Sequence, residues 1–357
     1  MAVKWSWAFG PETTLELVEA GWIYTVPGQE SYSFPTTAKA YTYPGSPTRH
    51  SYCIRQGHGL TAPAGTLNNK GWVCVAFYWT TTFAEFYYDY SPITIYLPGL
   101  YNGQINVFSN NSGVNTLRMS IGGAEGSDSI IPLNQWNYIA IKYDMSATTW
   151  TGSWYLNGVL QEAGTKAGMT AVTSGDQLPL LLRPGLSTNN NSYMGQIIVY
   201  DDPLEDGETP WRFATRINPI QDQPALTTGV WTPLSPATTN YEVLDSPFNT
   251  GSYTQNTGSA SGDKVTVLLT GSGTPDSGGI VDQLGTIPTN IYGITLHGFA
   301  SGSGQSGFVG ISDDAVPASM VTGSHIQPSI AAPSYTYVTM TGSWEASSSV
   351  YMKYEVT

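Results

Sequence analysis

The chain has 357 residues, more than one ordinary domain, and carries 13 Lys+Arg against 26 Asp+Glu, a formal net charge of −13. That balance excludes nucleic acid and anionic membranes as partners, because phosphate neutralisation and counterion release need a basic surface. With 11 Trp, 23 Tyr and 10 Phe the chain can bury a large core, so its scarcity of charge is not the mark of disorder. The longest apolar runs are strand-sized, and no membrane insertion is expected.

Residues 1–7 hold no apolar h-region and no cleavage motif, which predicts synthesis and folding in a cytoplasm. Residues 4–9 alternate Trp5, Trp7 and Phe9 on one face, a first strand. Leu15, Val18 and Trp22 recur at helical spacing and predict a turn or two of helix before Gly21. The Tyr- and Pro-rich stretch 32–47 reads as irregular loop with edge segments. Residues 50–54 and 72–79 are strong strands, and they place Cys53 and Cys74 as buried, reduced and inert thiols. Neither has a His at ligand spacing, so there is no case for zinc. Strands follow at 93–97, 104–108 and 117–121, separated by turns at Asn102-Gly103 and 110–113.

Residues 136–143 are β-branched and aromatic, and apolar on both faces until Lys142, which suits a central strand. A polar turn leads to a strand at 150–156. Asn157-Gly158 then supplies the pair of positive φ angles that a two-residue type I′ hairpin needs, with Val159 and Leu160 starting the return strand. A strand at 178–183, a Ser/Asn loop at 187–192 and an apolar run from Met194 to Tyr200 complete this half. Residues 202–225 read as the end of one domain and a linker. Further strands are expected at 265–270, 291–296, 307–311, 335–340 and 350–356. Turn signals about every ten residues, with almost no helical period, define an all-β chain in two parts, 1–222 and 223–357.

The Trp136 strand, its turn and the Asn157-Gly158 hairpin, together with Met194-Gly195-Gln196-Ile197-Ile198-Val199-Tyr200-Asp201, resemble the late strands of laminin G-like domains with the concanavalin A-type jelly roll. In the second part, Asn240-Tyr241-Glu242-Val243-Leu244-Asp245, Ser252-Tyr253-Thr254 and Gly262-Asp263-Lys264-Val265 resemble the opening of a β domain frequent in tailed-phage structural proteins. The implied fold is a laminin G/concanavalin A-like jelly-roll sandwich followed by a second, smaller β-sandwich. The implied setting is a virion made in the host cytoplasm, as tail fibre, appendage or capsid decoration. Other virion proteins and further copies of the chain would be its partners, and a cell-surface glycan a further one. Such an architecture specifies fold well and function poorly.

No catalytic site is expected. Retaining glycosidases on this fold need two carboxylates on one strand face. The nearest acidic pairs are Glu85/Asp89, Glu125/Asp128 and Glu242/Asp245; only the first, spaced by four, would share a face of a strand. No Gly-x-Ser-x-Gly elbow, Walker motif or dinucleotide fingerprint is present, and no cofactor is implied. No metal site is assigned: the laminin G-like resemblance allows calcium near loops, at Asp201-Asp202, but two adjacent acids do not make a full oxygen cage. Ligand binding is expected instead at Tyr87, Tyr88, Asp89 and Tyr90, and at Asn190 beside Tyr193. Aromatic rings there could stack on sugar faces while Asn and Asp bond hydroxyls; the same rings would serve equally to fill a core or a subunit interface.

Overall fold

The computed structural model describes residues 60–62, 66–79, 91–109, 115–173, 178–183, 194, 196–200, 221–233, 239, 263 and 265–269 in full. It describes 3–8, 23–24, 39–41, 49–51, 54–55, 193, 195, 254–256, 264, 307–312, 322–326 and 351–356 as strand backbone. The chain is all-β and divides into two compact units, Met1–Ala214 and Thr215–Thr357. Every ladder between described strands is antiparallel.

The first unit holds two large sheets. One runs in the order β1 (Val3–Ala8), β17 (Tyr193–Tyr200), β7 (Lys70–Tyr78), β13 (Trp136–Asp144), β14 (Thr149–Leu156) and β15 (Val159–Ala167), with β5 (Ile54–Arg55) also on β17. The other runs β11 (Ala124–Glu125), β10 (Thr116–Ile121), β9 (Gln104–Phe108), β8 (Ile93–Tyr96), β16 (Leu180–Leu182), β6 (Leu60–Thr61) and β2 (Ile23–Tyr24), with β12 (Ser129–Ile130) also on β10. A two-stranded ladder joins β3 (Lys39–Tyr41) to β4 (Arg49–Ser51). Residues 50–54, expected as one strand, are therefore split between β4 and β5, which belong to different sheets.

The two large sheets face one another across an aliphatic and aromatic core. Val73, Val75, Phe77, Ile139, Ile141, Trp154, Ile197 and Val199 come from the first sheet. Ile93, Ile95, Ile105, Val107, Leu117, Met119, Ile121, Leu180 and Leu182 come from the second. The distance between the layers is fixed in part by Gly152: a Cβ there would lie 3.1 Å from Ile121 Cδ1 and 3.2 Å from Met119 Sδ. The opposite face of the first sheet is buried as well, by Trp72, Cys74, Ala76, Trp136, Tyr138, Ala140, Ile198 and Tyr200. Residues on both faces of β7 and β13 are thus removed from water, which is why 136–143 carries no polar alternation; β13 is a central strand, between β7 and β14. Cys74 is a buried thiol outside any disulfide, while Cys53 lies outside the described residues.

The hairpin that follows is built by its turn residues. Asn157 (φ 52°) and Gly158 (φ 82°) are both left-handed, as a type I′ turn demands, and they pair Leu156 with Val159. The Asn157 Oδ1 accepts from the Tyr138 N–H at 2.8 Å, and its own N–H donates to the Tyr138 carbonyl at 2.8 Å. The turn is thereby stitched to the central strand. Gly122 and Gly123, also left-handed, form the equivalent turn between β10 and β11.

In the second unit a sheet runs β18 (Gln221–Asp222), β21 (Lys264–Leu268), β24 (Tyr351–Val356), β22 (Gly307–Ser312) and β23 (Thr322–Ile326), and β19 (Trp231–Pro233) pairs with β20 (Thr254–Asn256). Gln221–Asp222, placed in the linker by the sequence reading, is hydrogen-bonded to β21. A short 3-10 turn, Pro224–Leu226, is tied to the same strand by the Thr266 hydroxyl donating to the Leu226 carbonyl at 3.1 Å. The helical turn near 15–19 and the strands expected at 291–296 and 335–340 lie outside the described residues.

Candidate functional site

Tyr87, Tyr88, Asp89, Tyr90 and Asn190 lie outside the described residues, as do Glu85 and the Asp201-Asp202 pair. Tyr193 is placed by its backbone at the start of β17, opposite Arg55 and Tyr78. Among the described residues, no group of three or more His, Cys, Asp or Glu side chains could hold a metal ion. No helix there is long and apolar enough to cross a membrane.

What the fold brings together is a polar row on the outward face of the second sheet. Antiparallel register aligns Glu125, Ser120, Asn106 and Thr94 across four neighbouring strands. Thr94, Asn106 and Ser120 each sit between apolar residues that point into the core, so that part of the row follows from strand alternation plus register. Thr94, Asn106 and Ser120 are buried although they point away from the first sheet. Asn106 is 4% exposed. Its Nδ2 donates to the Ser91 hydroxyl at 3.0 Å, while its Oδ1 is buried with no hydrogen-bond partner. Burying an amide side chain is costly, and the bond to Ser91 offsets part of that cost.

Beside this row Arg118 gathers two carboxylates. Its Nε donates to Asp128 Oδ1 at 2.7 Å and its Nη1 to Glu125 Oε2 at 2.9 Å, and the guanidinium carbon lies 6.0 Å from the Phe108 ring centroid. The hydrogen bond to Asp128, with the charges of both acids, moves the guanidinium further above the ordinary arginine range, against the opposing effect of burial. Spacing by three would set Glu125 and Asp128 on opposite faces of a continuous strand. Here β11 ends at Glu125 and β12 begins at Ser129, so no continuous strand joins the two acids, and both converge on one cation. Sequence spacing alone misses this cluster.

The outward face of the first sheet has a different chemistry. Lys142 Nζ lies 5.6 Å from the Trp72 ring centroid, within cation–π range, and Tyr155 packs on the same Trp72 ring at 5.3 Å. Tyr78 meets Trp136 edge to face at 5.6 Å. Burial raises the Tyr155 phenol above the ordinary tyrosine value of 10.0. Rings, a cation and half-buried phenols make this a face suited to packing.

No family model matches the chain, and no curated protein matches it. Solved structures resemble it at low identity. Trypanosoma rangeli sialidase is 13% identical over 54% of this chain and 35% of its own, with a TM-score of 0.34. The CBM40 of a Ruminococcus gnavus sialidase, bound to α2,6-sialyllactose, is 15% identical over 40% of this chain and 82% of its own, with a TM-score of 0.28. The carbohydrate esterase of the Shiga toxin-encoding bacteriophage phi24B is 10% identical over 57% of this chain and 100% of its own, with a TM-score of 0.33. The chain thus spans about a third of the length of the sialidase it resembles. Overlap this low assigns it neither an activity nor a substrate.

Proposed function

We propose that this chain is a non-enzymatic structural protein on the surface of a tailed-phage particle, a tail-fibre or appendage component or a capsid decoration, acting through contacts with other virion proteins. One observation carries the reading. The apolar run at the heart of the laminin G-like resemblance forms β17 and pairs with β1 on one side and β7 on the other, with Trp5 opposite Val199 and Trp7 opposite Ile197. Among the described residues the first and last strands of the unit therefore pair with each other, an arrangement that suits one module of a longer architecture. The engagement of Glu125 and Asp128 by one guanidinium supports a structural role for that acidic pair, since a glycosidase pair needs one acid free to donate a proton and one free to attack.

The test is co-sedimentation with infectious particles from the source sample through a density gradient, followed by immunoblotting. The chain is expected in the particle band; recovery only at the top of the gradient would overturn the reading.

A second reading is a glycan-binding lectin or adhesin, in which Tyr88 and Tyr90 stack on sugar rings. On this reading the intact chain binds glycans on an array, and Tyr88→Ala or Tyr90→Ala abolishes that binding while leaving the circular dichroism spectrum unchanged. Binding that survives both substitutions would exclude those rings as its site.

A further inference from the structure

Among the described residues β15 pairs with β14 alone and forms the outer edge of its sheet. An edge of nine residues presents a row of backbone groups ready to pair with another chain. Its hairpin end is apolar and in water: Val159 is 63% exposed and Leu160 51%. Ala163, Thr165 and Ala167 are exposed as well, and none of them is charged or a proline. The two charges on the strand are Glu162 and Lys166, on one face, with Gly164 midway between them.

That spacing is self-complementary. We propose that β15 pairs with β15 of a second copy of this chain, antiparallel, about a two-fold axis at Gly164, so that one sheet runs continuously through both copies. In this register Glu162 lies directly opposite the partner's Lys166, and Lys166 opposite the partner's Glu162. Ala163 faces the partner's Thr165. The two Gly164 residues meet at the axis. Directly opposed side chains in an antiparallel pair have Cβ atoms about 5 Å apart, close enough for both ion pairs to form. Other registers are worse. Centring on Glu162 opposes two carboxylates, centring on Lys166 opposes two ammonium groups, and centring on Ala163 leaves both charges without a counterpart.

The surroundings of the two charged groups favour the same partner. Lys166 makes no ion pair among the described residues. Glu162 Oε1 accepts only the Ser127 N–H, at 3.2 Å, and Oε2 is buried against Gly126 without a hydrogen-bond partner. A part-buried carboxylate with no cation of its own is stabilised by a positive charge brought to the strand edge. The interface is isologous, as a two-fold axis requires. It stands independently of the virion reading, since a lectin would use it equally.

The experiment is sedimentation velocity on the intact chain across the micromolar range, with circular dichroism on each variant. The native chain is expected to sediment as a dimer. Lys166→Glu opposes carboxylates at both sites and should raise the dimer dissociation constant about ten-fold or more. Glu162→Lys should do the same, and the exchanged pair Glu162→Lys/Lys166→Glu should restore the dimer. A monomeric native chain overturns the proposal. So does a dimer indifferent to Lys166→Glu, or an exchanged variant that is folded yet still monomeric.

Discussion

Arg118 is the residue on which two acids of the first unit converge. It holds Asp128 and Glu125 together, although its own side chain is 18% exposed and Glu125 stands largely in water. Exposed ion pairs are individually weak, while a fork that bonds two acids at 2.7 and 2.9 Å is geometrically better than most. Arg118→Ala is expected to lower stability by about 1 kcal/mol, read from the denaturant midpoint; an unchanged midpoint would reduce the cluster to decoration. Tyr155 gives a prediction in pH. Its phenol titrates above 10.0 because burial disfavours the phenolate, so the folded chain holds that proton more tightly than the unfolded one. The resulting stability is fully present below pH 10 and is lost as pH rises through the raised value. Alkaline unfolding followed by tryptophan fluorescence should therefore show a falling limb above that pH, shallower in Tyr155→Phe. Equal slopes in the two proteins would contradict it.

Among the elements, the β14–β15 hairpin rests on Asn157 and Gly158. Replacing Asn157 by Ala forces a Cβ residue without a local hydrogen bond into the left-handed region and removes the acceptor of the Tyr138 N–H. The expected loss is about 2 kcal/mol, measured by thermal or chemical unfolding, and an unaffected stability would mean the turn is not what holds the hairpin. This element was legible because its turn chemistry is local. So were β7, β9, β13 and β17, whose aromatic and β-branched runs are buried and need no tertiary context to be read. The return strand beyond Leu160 was not. Gln161–Ala167 has no apolar alternation because, as an edge strand, it meets water along much of its length, and its extended state is imposed by the hairpin and by β14. Nor was β23 read from the sequence; among the described residues it pairs with β22 alone. The polar row was equally hidden. Thr94, Asn106 and Ser120 each look like the solvent face of an ordinary alternating strand, and only the register of three strands sets them in line.

At the scale of the whole molecule, two compact units on either side of Ala214 and Thr215 each build their own sheets. Calorimetry of the intact chain is expected to resolve two unfolding transitions; one transition obeying two-state behaviour would contradict separate cores. The low charge and net −13 fit a protein that works by packing and hydrogen bonding against neighbours, not by electrostatic capture of polyanions. The virion account rests on that surface together with the pairing of the first and last described strands of the first unit. Its most direct test is immunogold electron microscopy of particles from the source sample, using an antibody to this chain. The account predicts gold on the particle, over the capsid for a decoration role or along the tail and fibres for an appendage. Particles that remain unlabelled, under conditions in which the antibody recognises the folded chain, would contradict it.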